Sequence, residues 1–126
     1  MQPSPPAAGQ KILVIDDVPA NIDILCEMFE SAGYEVLVAV DGEAGRAIAG
    51  HAAPDVILLD VLMHGQNGFE TCQRLKRDPA TQAIPVIFIS AKDDTLNMLE
   101  GFRVGGVDYI TKPFQREEVL ARVRTH

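Results

Sequence analysis

Tryptophan is absent from this sequence, and cysteine occurs only twice, at Cys26 and Cys72. Neither cysteine has a second cysteine or a histidine at the spacing that metal ligands show. The sequence therefore predicts neither a zinc site nor a disulfide framework. Both cysteines lie in apolar-periodic segments, where we expect small buried side chains in a reducing compartment.

The sequence also shows neither a targeting segment nor a membrane-spanning segment. Residues 1–10 have neither the basic start nor the apolar stretch of a signal peptide, and their Pro/Ala/Ser-rich composition predicts a disordered lead-in. No apolar run approaches the roughly 18 residues that a membrane-spanning helix needs. We therefore expect a cytoplasmic protein.

Positive charge is scarce, with 11 Lys and Arg residues against 18 Asp and Glu residues and a net charge of −7. An acidic surface repels phosphate backbones, so direct nucleic-acid binding is not expected unless another domain supplies it. The 126 residues, 47% of them hydrophobic, suffice for one domain with a single core.

Short apolar runs alternate with helical patterns along the chain. Strands are predicted over residues 11–15, 34–40, 55–59, 85–89 and 107–111. Helices are predicted around residues 22–29, 42–50, 69–77 and 94–104, and from residue 115 onward. This order predicts an α/β domain over residues 11–126: a three-layer, doubly wound, flavodoxin-like fold with a five-stranded parallel sheet in the order 2-1-3-4-5. The last helical pattern runs to His126 without a capping residue, from which we expect a longer protein.

Polar side chains follow four of the five predicted strands. They are Asp16 and Asp17, Asp60, Ser90, and Lys112 with Pro113. Each residue alone is explained by a helix cap, a turn or a solvated charge. Ligand sites in such sheets lie at the carboxyl ends of the strands, so the convergence of all of them on that edge predicts a functional site.

Three carboxylates in one pocket need a cation. At an effective dielectric constant near 20, each pair repels by about 4 kcal/mol at roughly 4 Å. Oxygen ligands without cysteine or histidine favour Mg²⁺, for which Mn²⁺ is expected to substitute. With the cation, Lys112 and the Ser90 hydroxyl would surround Asp60 with positive charge and a donor, which suits attack by this carboxylate on a phosphoryl group.

These residues resemble the signature set of the receiver domains of two-component response regulators, and the likeness covers nearly the whole chain. The set consists of Asp16-Asp17, Asp60 with Gly68 in the loop that follows, Ser90-Ala91 and Lys112-Pro113-Phe114. The resemblance implies that Asp60 takes a phosphoryl group from the phosphohistidine of a histidine kinase or a histidine phosphotransfer protein. The domain would be a switch that catalyses only its own phosphorylation and dephosphorylation, and no enzyme with an external product.

Further roles follow from the resemblance alone. Mg²⁺ would be held directly by Asp17 and Asp60, by the main-chain carbonyl of Leu62, and through water by Asp16. Ser90, the main-chain N–H of Ala91 and Lys112 would bind the phosphoryl group, and the Lys112–Pro113 peptide bond would be cis.

Tyr109 occupies the position of the family's switch aromatic. Its ring would turn inward when Ser90 moves, which would change the face formed by the fourth helix, the fifth strand and the fifth helix. That face would control an output domain or partner and is a candidate homodimer contact. The simpler interpretation of Tyr109 is an aromatic side chain packed on an edge strand.

Two residues near the predicted site are candidate modulators. His64 departs from the family pattern, and Lys92 lies at a position where the family varies. His64 stands where family members usually have proline, and its titration could make phosphoryl lifetime or metal affinity depend on pH near 6–7. Lys92 lies two residues after Ser90, where charge can tune hydrolysis. Both are candidate modulators, although a tolerated loop substitution explains His64 equally simply.

Three other functions remain open on the sequence. A magnesium-dependent phosphohydrolase would carry a second acid two residues after the nucleophile, where this chain has Leu62. A flavodoxin-like electron carrier would need a phosphate-binding loop after the first strand, where this chain has Asp16 and Asp17. A receiver that acts only as an interaction module would not need the complete set of residues.

Overall fold

The computed structural model describes residues 10–63, 66–91 and 95–126. Five strands form the main sheet: β1 (Lys11–Ile15), β2 (Glu35–Ala39), β3 (Val56–Asp60), β4 (Val86–Ala91) and β5 (Asp108–Lys112). Five helices alternate with them: α1 (Pro19–Ser31), α2 (Gly42–Ala52), α3 (Gly68–Arg77), α4 (Thr95–Arg103) and α5 (Arg116–Thr125).

The strand order is β2-β1-β3-β4-β5, and every neighbouring pair is parallel. The predicted order 2-1-3-4-5 is therefore confirmed. Parallel neighbours need a crossover connection, which the intervening helices provide. Because β1 and β3 are adjacent in the centre, the residues at their carboxyl ends meet at one edge of the sheet.

Two apolar cores, one on each face of the sheet, confirm the three predicted layers. In β1 the side chains alternate: Leu13 and Ile15 join the core under α2 and α3, whereas Ile12 and Val14 join the core under α1 and α5. The helices contribute fully buried residues such as Leu25 and Phe29 of α1 and Cys72 of α3. Each large apolar side chain so buried contributes about 1.5–3 kcal/mol.

The structure differs from the predicted element ends at several points. β4 continues through Ser90 to Ala91, because these residues pair in register with Thr111 and Lys112 of β5. Tyr34 precedes β2 instead of opening it. A two-stranded antiparallel hairpin, Leu62–Met63 with Gln66–Asn67, follows β3 and was not predicted.

Several predictions concern residues that the structure does not describe or describes differently. The lead-in at residues 1–9, His64 and Lys92 lie outside the described residues. Cys72 is buried as predicted, but Cys26 on α1 is only partly buried. None of the described helices is both long and apolar enough to span a membrane.

Candidate functional site

Three carboxylates converge at the carboxyl edge of the central strands. Asp60 is the last residue of β3, and Asp16 and Asp17 follow β1 directly. One carboxylate oxygen of each residue lies within 4.8 Å of those of the other two. Asp16 and Asp60 are buried, and Asp17 is partly exposed. The predicted acidic cluster is therefore present, and all of its side-chain donors are oxygen atoms that suit a hard divalent cation.

Asp16 is held in one orientation by two donors at the start of α1. The backbone N–H of Val18 donates to Oδ1 at 2.9 Å, and the side-chain amide of Asn21 donates to Oδ2 at 3.2 Å. Asn21 is not among the site residues predicted from the sequence. Its position in the first turn of the helix that starts at this sheet edge is the signal that would have indicated it.

Asp60 has one satisfied oxygen and one unsatisfied oxygen. Its Oδ1 accepts the backbone N–H of Leu62 at 3.0 Å. Its Oδ2 is buried, and among the described residues it has no hydrogen-bond partner. The nearest cation is the ammonium group of Lys112, whose Nζ lies 3.5 Å from Oδ2. A buried carboxylate oxygen of this kind, beside two further carboxylates, fits the coordination of a cation.

Burial raises the pKa of Asp60 to about 6. The N–H of Leu62 opposes this rise, Asp16 adds to it by repulsion, and Lys112 opposes it by attraction. A carboxyl group so perturbed, in contact with specific charged neighbours, is typical of functional sites.

Gly68 allows α3 to begin directly beside the acceptor strand. Its N–H donates to the carbonyl of Val61 at 2.9 Å. A Cβ atom at this position would lie 2.2 Å from the carbonyl oxygen of Asp60, which is far inside van der Waals contact. Only glycine fits this close approach of two backbone segments.

Ser90 and Lys112 lie at the same sheet edge on the two strands that follow β3. Asp60 pairs with Ile89, the residue before Ser90, and Lys112 pairs with Ala91. Ser90 is buried, and the side chain of Lys112 is about one-third exposed, at 35%. The Lys112–Pro113 peptide bond is cis. The predicted residues on four strands are thus brought together.

Tyr109 is buried on β5 in this structure. Its ring lies 5.5 Å from that of Phe88 and 5.6 Å from that of Phe102, measured between centroids. A Cβ atom at Gly101 of α4 would lie 2.1 Å from the Tyr109 hydroxyl. The absence of a side chain at Gly101, a feature not predicted from the sequence, therefore makes room for the buried ring.

A family model described as "Response regulator receiver domain" matches residues 12–124 of the chain. The DNA-binding dual master transcriptional regulator RpaA of Synechocystis is 47% identical over 114 residues, which are 90% of this chain and 47% of RpaA. The chain thus spans about half the length of that relative. Protein PilH of Pseudomonas aeruginosa is 41% identical over 90% of this chain and 93% of its own length.

Solved structures agree with this likeness. The receiver domain of the sensor histidine kinase PA1611 from Pseudomonas aeruginosa superposes with a TM-score of 0.83 at 29% identity. The match covers 94% of this chain and 96% of that domain, whose structure has a magnesium ion coordinated in the active-site cleft.

Proposed function

The chain belongs to the response regulator receiver domain family, and we propose that it acts as a phosphoaccepting switch in which Asp60 takes the phosphoryl group. The observation that carries this proposal is the state of the Asp60 carboxylate. Its Oδ2 is buried without a hydrogen-bond partner among the described residues and lies 3.5 Å from the Lys112 ammonium group. A nucleophile beside one fixed cation and an acidic cluster suits phosphoryl transfer.

Mg²⁺ is the proposed cofactor, with Mn²⁺ as a substitute. Asp17, Asp60 and the main-chain carbonyl of Leu62 would hold it directly, and Asp16 would hold it through water. Two observations support this assignment: the three carboxylates lie within 4.8 Å of one another, and the similar receiver domain of PA1611 has magnesium in its cleft. When bound, the ion would offset the repulsion between the carboxylates and the incoming phosphoryl oxygens.

The proposed donor is the phosphohistidine of a histidine kinase or of a histidine phosphotransfer protein. A carboxylate oxygen of Asp60 forms a bond to phosphorus as the nitrogen–phosphorus bond of the donor breaks, and the released imidazole takes up a proton from solvent. The Lys112 ammonium, the Ser90 hydroxyl and the Ala91 N–H donate to the phosphoryl oxygens, whose charge needs stabilisation in the transition state. Water later hydrolyses the acyl phosphate, which restores the Asp60 carboxylate and releases inorganic phosphate, so the domain acts on no substrate other than its own aspartyl group.

The proposed output is a change in the face formed by α4, β5 and α5. Ser90 moves toward the phosphoryl group, and the ring of Tyr109, which is already buried in this structure, repacks in the space that this movement opens. The face then controls an output domain or a partner protein, or forms a homodimer, in the cytoplasm.

Intact-mass measurement tests the proposal. The protein is incubated with Mg²⁺ and acetyl phosphate beside an Asp60→Asn control. One phosphoryl group should add to the parent protein and none to the control, and chelation of the metal should abolish the adduct. An equal adduct in both proteins would contradict Asp60 as acceptor. A parent protein that stays unmodified with both acetyl phosphate and phosphohistidine donors would favour an interaction-only module.

A further inference from the structure

Leu62, whose main-chain carbonyl is a proposed Mg²⁺ ligand, is held in place by its backbone. Its side chain is 73% exposed, so apolar packing does not fix this residue. Its N–H donates to Oδ1 of Asp60 at 3.0 Å. In an extended residue the N–H and the C=O groups point to the same side of the strand. The carbonyl of Leu62 is therefore turned toward the acidic cluster together with its N–H.

The hairpin after β3 supplies a second support for this stretch of backbone. Leu62 pairs with Asn67 across the hairpin. The residue after Asn67, Gly68, donates its N–H to the carbonyl of Val61 at 2.9 Å. Two consecutive residues at the start of α3 are thus joined to the two residues that follow Asp60. The conformation of the chain at Asn67 therefore decides where the backbone of Leu62 lies.

The side chain of Asn67 fixes that conformation. Its Oδ1 accepts the N–H of Phe69 at 2.8 Å, which makes Asn67 the N-cap residue of α3. The residue is extended, with φ −110° and ψ 121°, as an N-cap residue must be if its side chain is to reach the first turn of the helix. Asn67 is exposed, so this hydrogen bond, and not burial, selects its backbone conformation.

We infer that Asn67 is a positioning residue for the proposed Mg²⁺ site, and that it acts through the hairpin on the carbonyl of Leu62. Residues that orient metal ligands typically change metal affinity by about 10- to 100-fold. Capping alone would stabilise α3 and leave Mg²⁺ affinity unchanged, so the two roles predict different results. The inference rests on the proposed function, because it requires Mg²⁺ at the acidic cluster.

Mg²⁺ titration of the unphosphorylated protein tests the inference. By isothermal titration, Asn67→Ala should bind Mg²⁺ about tenfold or more weakly than the parent protein. Asn67→Ser keeps a side-chain oxygen that caps a helix and should restore most of the affinity. The ¹³C chemical shift of the Leu62 carbonyl is a readout that helix stability alone would not move. Saturating Mg²⁺ should shift it in the parent protein and in Asn67→Ser, and much less in Asn67→Ala.

Asp41→Ala is the matched control. Asp41 is the N-cap residue of α2 and accepts the N–H of Ala44 at 2.7 Å, so this variant loses the same kind of contact at another helix. Urea denaturation should show a lower midpoint in both alanine variants, whereas only Asn67→Ala should lose Mg²⁺ affinity by about tenfold or more. Asp41→Ala also removes a negative charge, which weakens attraction of a cation, so the comparison is biased against the inference.

Three results would overturn the inference. Equal Mg²⁺ affinities in the parent protein and Asn67→Ala would show that Asn67 only caps α3, and the proposed metal site would stand. An equal loss of affinity in the two alanine variants would assign the effect to lost helix stability. A parent protein that binds no Mg²⁺ would overturn the proposed cofactor, and this inference with it.

Discussion

The carbonyl oxygen of Asp60 lies where a side chain on Gly68 would have to begin, since a Cβ atom at residue 68 would come within 2.2 Å of it. The atom that would be struck belongs to the backbone of the acceptor residue and cannot rotate away. The close approach thus links the start of α3 to the geometry of the acidic cluster.

Gly68→Ala is expected to lower the free energy of unfolding by about 1–3 kcal/mol, as overpacking does, and to reduce Mg²⁺ affinity by displacing Asp60. Chemical denaturation and metal titration would measure the two effects. Gly50→Ala is the matched control, because nothing lies within 4 Å of a Cβ atom there and α2 should gain up to about 1 kcal/mol. Equal behaviour of the two variants would contradict the steric argument.

The buried Asp60 carboxyl should make stability depend on pH in metal-free protein. Its pKa is about 6 in the folded state, against 3.8 as the ordinary value. Between these values the unfolded chain has already released the proton that the folded protein retains. The free energy of unfolding should therefore fall as pH rises through this window, by on the order of 3 kcal/mol, and the contribution should be constant above about pH 7.

Asp60→Asn should abolish this dependence and be the more stable protein at pH 7.5. Urea denaturation from pH 4.5 to 7.5 with a chelator would give the difference between the parent protein and the variant at each pH. Titrating groups that do not interact with Asp60 cancel in that difference. A difference that stays constant across the range would show that Asp60 is not destabilised by burial of its charge.

Gly101→Ala tests the packing of Tyr109. The new methyl group would collide with the Tyr109 hydroxyl and the buried ring of Phe88. We expect the Tyr109 ring to move outward, with a loss of about 1–3 kcal/mol in stability. Because the chain has two tyrosines, both buried, and no tryptophan, quenching of tyrosine fluorescence by acrylamide should report the newly exposed ring. Unchanged quenching would contradict this expectation, because it would show that the Tyr109 ring stays buried and that another part of the structure makes room for the methyl group.

Asn21→Ala removes the side-chain donor that orients Asp16 at 3.2 Å. Loss of such a supporting contact is expected to reduce metal affinity by about 10- to 100-fold. Isothermal titration with Mg²⁺ would measure the change. Gln115→Ala is a suitable control. Gln115 is the N-cap residue of α5, and its side chain makes no capping hydrogen bond. Equal Mg²⁺ affinities in both variants would show that Asn21 does not support metal binding.

The sheet and the convergence of polar residues could be predicted because they depend on local patterns. All five residues of β3 are buried, which a continuous apolar run followed by a single acid indicates. The parallel order then brings the ends of β1 and β3 to one edge. The end of β4 was predicted too early, at residue 89. Its extension through Ser90 depends on the pairing of Ser90 with Thr111, which a local pattern does not contain.

The supporting contacts could not be predicted in this way. The approach of Gly68 to Asp60 and that of Gly101 to Tyr109 depend on how a helix is placed against a strand. The bond from Asn21 to Asp16 depends on the direction in which the first turn of α1 leaves the sheet. No local pattern of apolar and polar residues contains these placements.

The most direct test of the central claim is to locate the phosphoryl group chemically. After incubation with Mg²⁺ and acetyl phosphate, borohydride would reduce an aspartyl phosphate to homoserine, and peptide mass spectrometry would find its position. We predict homoserine at residue 60 and aspartate unchanged at residues 16 and 17. Homoserine at residue 16 or 17, with Asp60 unmodified, would contradict the assignment of Asp60 as the phosphoacceptor.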